Sequence, residues 1–376
     1  MLQFFYKMKH NISLIFVIGP ATGFLFIDQD FPHFMTFLCA VLIALPITYA
    51  ASHLLKFRLW LLLCGFFFCY GLFLITLHHA SLTSMIGAIL AGSGWAGLIF
   101  VFPPVLTLPW LCDSKILNLG FLWAASFLLA FLWKSFFQLT PYLALSAAFL
   151  MILLAACFLH TPKFHQKAHN PLTQDREIAF FRPAAFLSAI AAALGLSVSL
   201  YQFSDQNTII VGNPVAGDGA SLPQLVGTFL FHLLICMIPL GSALFIEKKG
   251  IFSICILLVF FCEASTFFFS AFPIFSPFFL LGKCLCLAAI AAVPVVIPIL
   301  VYYLYGPVNY YENYGRIIFF LPAGLVAVLP FQYLTAVGAI SRSHLVVLLL
   351  LLLFLGFFSI FSAWKHRFVI LKNKIL

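Results

Sequence analysis

The sequence predicts an all-α polytopic membrane protein of about 12 transmembrane helices in two six-helix bundles. Three observations predict it: a charge-poor apolar composition, long apolar runs recurring from end to end, and a Lys/Arg pattern that alternates between connections. Of 376 residues, 64% are apolar and 8% charged, with a mean hydropathy of +1.15. A soluble domain carries about 25% charged residues, so water is excluded as the main solvent. The runs are long enough to cross a bilayer and too long for barrel strands. Each must be helical, because an open backbone in hydrocarbon leaves its N–H and C=O groups without partners.

Breaks at charges, Pro/Gly clusters and polar stretches place spans at 12–27, 34–54, 59–77, 82–111, 116–137 and 140–160, then at 183–203, 222–246, 250–272, 275–305, 316–340 and 344–364. The first has the basic flank of a signal sequence, but it runs into Asp28, Gln29 and Asp30 without a small-residue cleavage site and is expected to remain as a span. The polar stretch 161–182 reads as a cytoplasmic linker between an N-terminal bundle, 1–160, and a C-terminal bundle, 183–376.

The net charge of +9 is a topology signal. With twelve spans, sixteen Lys/Arg fall on one side, among them Lys7, Lys56, Arg58, Lys115, Arg182, Lys248, Lys249 and Arg316. Only Lys134 and Arg342 fall on the other, and Lys283 lies inside a span. The bias puts both termini in the cytoplasm and supports an even helix count, since one missed helix would scramble the tally. An inner or plasma membrane is the expected location. The charge therefore implies no nucleic acid partner; the expected partners are a small-molecule solute and the lipid bilayer, and the chain is expected to be monomeric. The cysteines have no metal-ligand spacing and read as small core residues, so neither metal nor cofactor is expected.

Two halves of equal helix count are the sequence mark of secondary transporters that rock about a central site. Local motifs point the same way. The stretch Ala243-Leu-Phe-Ile-Glu247-Lys248-Lys249-Gly250, between the eighth and ninth spans, is similar to the Gly-x-x-x-Asp-Arg/Lys-x-Gly signature of the major facilitator superfamily. The equivalent stretch after the second span keeps only the bases Lys56 and Arg58. The fourth span, with Gly87, Gly92, Gly94 and Gly97 before Pro103, Pro104 and Asp113, resembles that family's glycine-rich fourth helix but lacks the arginine of many proton-coupled members. The resemblance covers nearly the whole chain. It implies a divergent member, a transporter and not an enzyme, with Glu247, Lys248, Gly250, Lys56 and Arg58 as a conformational latch at the cytoplasmic helix ends.

Charged and polar groups within spans are the candidates for a substrate or ion pathway. Glu263, in the ninth span, and Lys283, in the tenth, each lie eight positions from the outer turn, roughly 12 Å deep at about 1.5 Å per residue, and are expected to pair. A pair that merely locks two helices is the competing explanation. His232 in the eighth span and Gln332 beside Pro330 in the eleventh complete the set. For both, a hydrogen bond to a neighbouring helix or to proline-freed carbonyls is the plainer role. Lys134, Lys283, Arg342, His78 and His79 on the outer half would favour an anionic solute, although helix-end charges snorkelling to headgroups give the same pattern.

The rival class is a membrane-embedded enzyme acting on lipid or a lipid-linked substrate. Asp28, Asp30 and His33 are its one interfacial cluster, and helix capping explains them better. The turn-rich outer segment 204–221 lacks the GK[ST] ending of a phosphate loop.

Overall fold

The computed structural model describes residues 2–23, 34–77, 82–101, 114–159, 174–205, 222–272, 276–336 and 341–375. Within them the chain is helical: α1 (Leu2–Gly23), α2 (Phe34–Leu54), α3 (Phe57–Leu77), α4 (Leu82–Trp95), α5 (Lys115–Leu139), α6 (Pro141–Phe158), α7 (Gln174–Asp205), α8 (Leu222–Lys249), α9 (Ile251–Ala271), α10 (Pro277–Ile318), α11 (Phe320–Ala336) and α12 (Arg342–Ile375). Each of the twelve matches one expected span. Seven of the described helices are long and apolar enough to cross a membrane, and four shorter apolar stretches are Asn11–Gly23, Thr36–Ser52, Arg182–Ser197 and Asn313–Val328. The protein is an integral multi-pass membrane protein.

The helix boundaries follow local chemistry where turns are tight. Thr140 alone separates α5 from α6, whose first residue is Pro141; a proline there gives up an N–H that has no intrahelical partner anyway. The Trp133 indole N–H then donates across the hairpin to the Ala144 carbonyl at 3.1 Å. Gly250 alone joins α8 to α9, with φ +86° and ψ 162°, a region open essentially to glycine. Its amide closes the turn on the Ile246 carbonyl at 2.8 Å. Gly250→Ala is expected to destabilise the protein by about 1–3 kcal/mol, read as a lower thermal midpoint of the purified protein; an unchanged midpoint would show that the turn tolerates a side chain.

Four helices outrun their expected limits by two turns or more, α1 by starting at Leu2. α10 is 42 residues long and continues through 306–315, where the sequence predicts a connection at Gly306 and Pro307. Packing overrides the breakers: Tyr310, Tyr314, Ile317 and Ile318 are buried, and the Tyr302, Tyr310 and Tyr314 rings follow one another at 5.8 and 5.7 Å. α7 starts at Gln174, inside the expected linker, and α12 continues to Ile375. α4 ends in a π-helical stretch, Ala96–Val101, wholly buried; the end of that expected span, with Pro103, Pro104 and Asp113, lies outside the described residues.

Most of the helix pairs in contact fall within one of two sets, with α5 and α8 packed extensively across them. α1 packs on α5 and α6, α4 on α2 and α3, and α3 on α6; α7 packs on α9, α10, α11 and α12, and α9 on α8, α10 and α12. Interhelical hydrogen bonds follow the same division. Trp95 Nε1 donates to the Ala21 carbonyl at 2.8 Å and Trp60 Nε1 to the Thr48 carbonyl at 3.2 Å. In the other set, Arg182 Nη1 donates to the Ser362 carbonyl at 3.0 Å, Ser188 to the Phe320 carbonyl at 3.3 Å, and the Ser197 and Thr266 hydroxyls meet at 3.2 Å. The pairs that join the sets are α5 with α8, α5 with α10, α2 with α10 and α2 with α11.

Candidate functional site

Where the two sets meet, close contacts are made at glycines. A Cβ on Gly120 of α5 would strike Ala243 Cβ of α8 and lie 3.0 Å from the Pro239 carbonyl oxygen. A Cβ on Gly315 of α10 would strike the Tyr49 ring of α2. Both seams lie toward the basic helix ends. Gly120 is five residues from Lys115, Ala243 six from Lys249, Gly315 next to Arg316, and Tyr49 shortly before Lys56. At about 1.5 Å per residue, the α5–α8 seam sits roughly 7–9 Å from those ends.

The inner face of α5 carries an unpaired donor. Phe121, Leu128 and Leu132 form its exposed stripe, Ala130 meets Gly23 of α1, and Gly120 meets α8. Trp123 is one turn from Gly120 and two turns from Ala130, so it lies between the α1 and α8 contacts, opposite the exposed stripe. Its side chain is 2% exposed. Phe127 follows one turn on, with ring centroids 6.0 Å apart. Among the described residues the Trp123 Nε1 has no hydrogen-bond acceptor, and the buried Asn118 Oδ1 has no donor. Asn118 is two residues from Gly120, on a face turned well away from α8.

The sequence candidates distribute unevenly around this region. His232 precedes Ala243 by eleven residues, close to three turns, which places its Cα on the α8 face that meets α5; its side chain and that of Gln332 in α11 lie outside the described ones. Lys283 is half-buried in the second turn of α10. Glu263 is exposed and falls in the stripe Ile256, Phe260, Glu263 and Phe267 of α9, whose aromatic members are 57% and 59% exposed. Because α9 packs on α7, α8, α10 and α12, that stripe faces lipid. Among the described residues Glu263 makes no hydrogen bond or ion pair, so the expected pair with Lys283 is not formed. Glu247, Lys248, Lys56 and Arg58 are all exposed at the basic turns, with Gly250 at the α8–α9 turn. Asp28, Asp30, His33, His78 and His79 lie outside the described residues.

Two buried polar groups without partners among the described residues were not marked by the sequence. Trp123 is one of six tryptophans in an apolar chain, and nothing in its neighbours marks it as unpaired. Asn118 was open to notice as an amide just inside a span, but its missing partner is a fact of packing.

No family model matches the chain, and no curated protein matches it in sequence. Solved structures do match. A variant of the Escherichia coli fucose:proton symporter superposes with a TM-score of 0.64 at 14% identity, covering 94% of this chain and 97% of that one. A structure of the same symporter, described as a major facilitator superfamily transporter in the outward conformation, gives 0.61 at 14% identity, with 94% and 97% covered. The human organic anion transporter TETRAN gives 0.58 at 18% identity, covering 92% and 83%. This likeness establishes the fold: the chain adopts the major facilitator fold, in divergent sequence.

Proposed function

We propose that this protein is a secondary transporter that carries a small solute by alternating access between two six-helix halves, residues 1–160 and 183–376, joined by a cytoplasmic linker. The location of the seams is the observation that carries it. Gly120 against Ala243 and Gly315 against Tyr49 close the halves together at the basic ends, which the Lys/Arg bias assigns to the cytoplasm. On this reading the cytoplasmic end is the closed one, and both termini lie on the cytoplasmic side of an inner or plasma membrane.

The exposed latch candidates Glu247, Lys248, Lys56 and Arg58 sit at basic helix ends beside the two seams. Lys283 and His232 are the retained pathway residues, with Gln332 a candidate on α11; Glu263, on the lipid-facing stripe, is left out of the path. An anionic solute fits Lys134, Lys283 and Arg342 on the outer half, and one structural neighbour is itself described as an organic anion transporter.

Purified protein in liposomes is expected to take up at least one member of a labelled panel of small organic anions and sugars in a saturable, gradient-dependent way. Empty liposomes should take up none. No uptake of any member, together with new products formed from the liposome lipids, would overturn transport in favour of a membrane enzyme.

A further inference from the structure

Glu263 is the charged group that the proposed path leaves unused. α9 is 21 residues long, about 30 Å, so it just crosses the apolar core of a bilayer. Glu263 stands twelve residues from its first residue and eight from its last, within about 3 Å of the middle. It is exposed, and among the described residues it is the one Asp or Glu inside a helix stretch long and apolar enough to cross a membrane. A carboxylate on two methylenes is too short to reach either headgroup layer from there. A charge at that depth ordinarily faces the bundle interior or pairs with another charge, and Glu263 instead shares the lipid-facing stripe.

The stripe itself has the form of a helix seam. Ile256, Phe260, Glu263, Phe267 and Ser270 are all exposed and follow one another at spacings of four, three, four and three, the pattern of a left-handed helix pair crossing near about +20°. The chain does not bring the matching cation to it. Lys283 follows Gly282, whose Cβ position meets Phe268 and Phe269, at least five residues beyond Glu263 along α9. Lys283 is half-buried, as is Lys134 of α5, so among the described residues a second copy of the chain offers no exposed cation at this depth. Within hydrocarbon, a helix is the backbone that can carry a Lys or Arg there with its own N–H and C=O groups satisfied.

We propose that the α9 stripe at 256–270 is a docking face for the transmembrane helix of a partner protein that carries a Lys or Arg at mid-bilayer depth, paired with Glu263. The four flanking residues supply the packing and the carboxylate supplies the selectivity, because lipid tails match an uncharged apolar helix equally well. The interaction is separate from the solute path and does not depend on the transport reading.

The probe is a biotinylated 21-residue Leu/Ala peptide with one central Lys, set beside the same peptide with Leu at that position. Each is reconstituted with the full-length protein in phosphatidylcholine vesicles, and p-benzoylphenylalanine at position 267 reports contact by photocrosslinking. The Lys peptide is expected to crosslink about five- to thirtyfold more than the Leu peptide, and Glu263→Gln is expected to lower it to the Leu level. Equal yields from the two peptides, or an undiminished yield in Glu263→Gln, would overturn the docking face. Crosslinked pairs of the protein itself, formed as readily with the Lys peptide as without it, would overturn it in favour of a second copy. Glu263→Leu separates docking from a role inside the fold: the thermal midpoint of the purified protein is expected to stay the same or rise. A midpoint lowered by several degrees would show that the carboxylate holds the chain's own helices together, and the proposal would fall.

Discussion

Gly120→Leu is expected to abolish transport while leaving the protein folded, and to raise hydrogen–deuterium exchange at both 115–125 and 239–249. A Cβ at this position already meets the Ala243 Cβ, the Pro239 carbonyl and the Leu240 Cα. These are backbone and near-backbone atoms that cannot rotate aside. Overpacking of this kind costs about 1–3 kcal/mol in a core that cannot yield. Here it can yield, because α5 and α8 belong to different helix sets. Separating the halves at this end relieves the clash, so the energy appears as a shift in population. Against a gap of a few kcal/mol between two states, a bias of about 1–3 kcal/mol changes their ratio by roughly five- to 150-fold. The cytoplasmic end would then stand open and the transport cycle would stall. Normal transport with wild-type exchange at both segments would show that the seam does not gate the path. Gly315 offers a milder comparison: its neighbour is the Tyr49 ring, a side chain that can swing, so a substitution there is relieved locally.

Much of the fold was legible because the bilayer imposes it. Any apolar run of this length must be a helix, and the sixteen-to-two division of basic residues constrains how many runs there are. The turn glycine Gly250 was legible too, since the motif it closes needs a backbone that only glycine adopts. What the sequence left out was direction around each helix axis. Counting residues from the outer turn gives Glu263 and Lys283 a depth but no direction. Yet Glu263 shares the stripe of Phe260 and Phe267 that faces away from the bundle, and depth alone does not reveal that. The extension of α10 was hidden for a related reason. Gly306 and Pro307 are local breakers, and the buried faces of Tyr310 and Tyr314 that outweigh them exist only after tertiary packing.

The second large effect is expected inside one half, at Gly94, where the same kind of clash has no escape. A Cβ on Gly94 of α4 would land on the Cys64 carbonyl oxygen and the Phe68 amide of α3. From the other side, a Cβ on Gly71 of α3 would land on the Ala91 amide and the Gly87 carbonyl of α4. The two backbones are thus in direct contact, the close crossing that small residues allow in membranes, where dispersion contacts between helices replace the hydrophobic effect. α4 is held on two further sides. A Cβ on Gly92 would lie 2.6 Å from the Phe37 carbonyl of α2, and Trp95 donates to Ala21 of α1 at 2.8 Å. With three neighbours fixed, α4 cannot move off α3, so Gly94→Leu is expected to cost more than about 3 kcal/mol. That should appear as loss of monodisperse protein on purification, with Gly94→Ala recovered at a lower thermal midpoint. Gly241 of α8 is the matched control: a Cβ there meets nothing within 4 Å, so Gly241→Ala should gain about 0.5–1 kcal/mol of helix propensity. Recovery of Gly94→Leu with the wild-type midpoint would show that the α3–α4 crossing is looser than its glycines require, and the contrast with Gly120 would lose its basis.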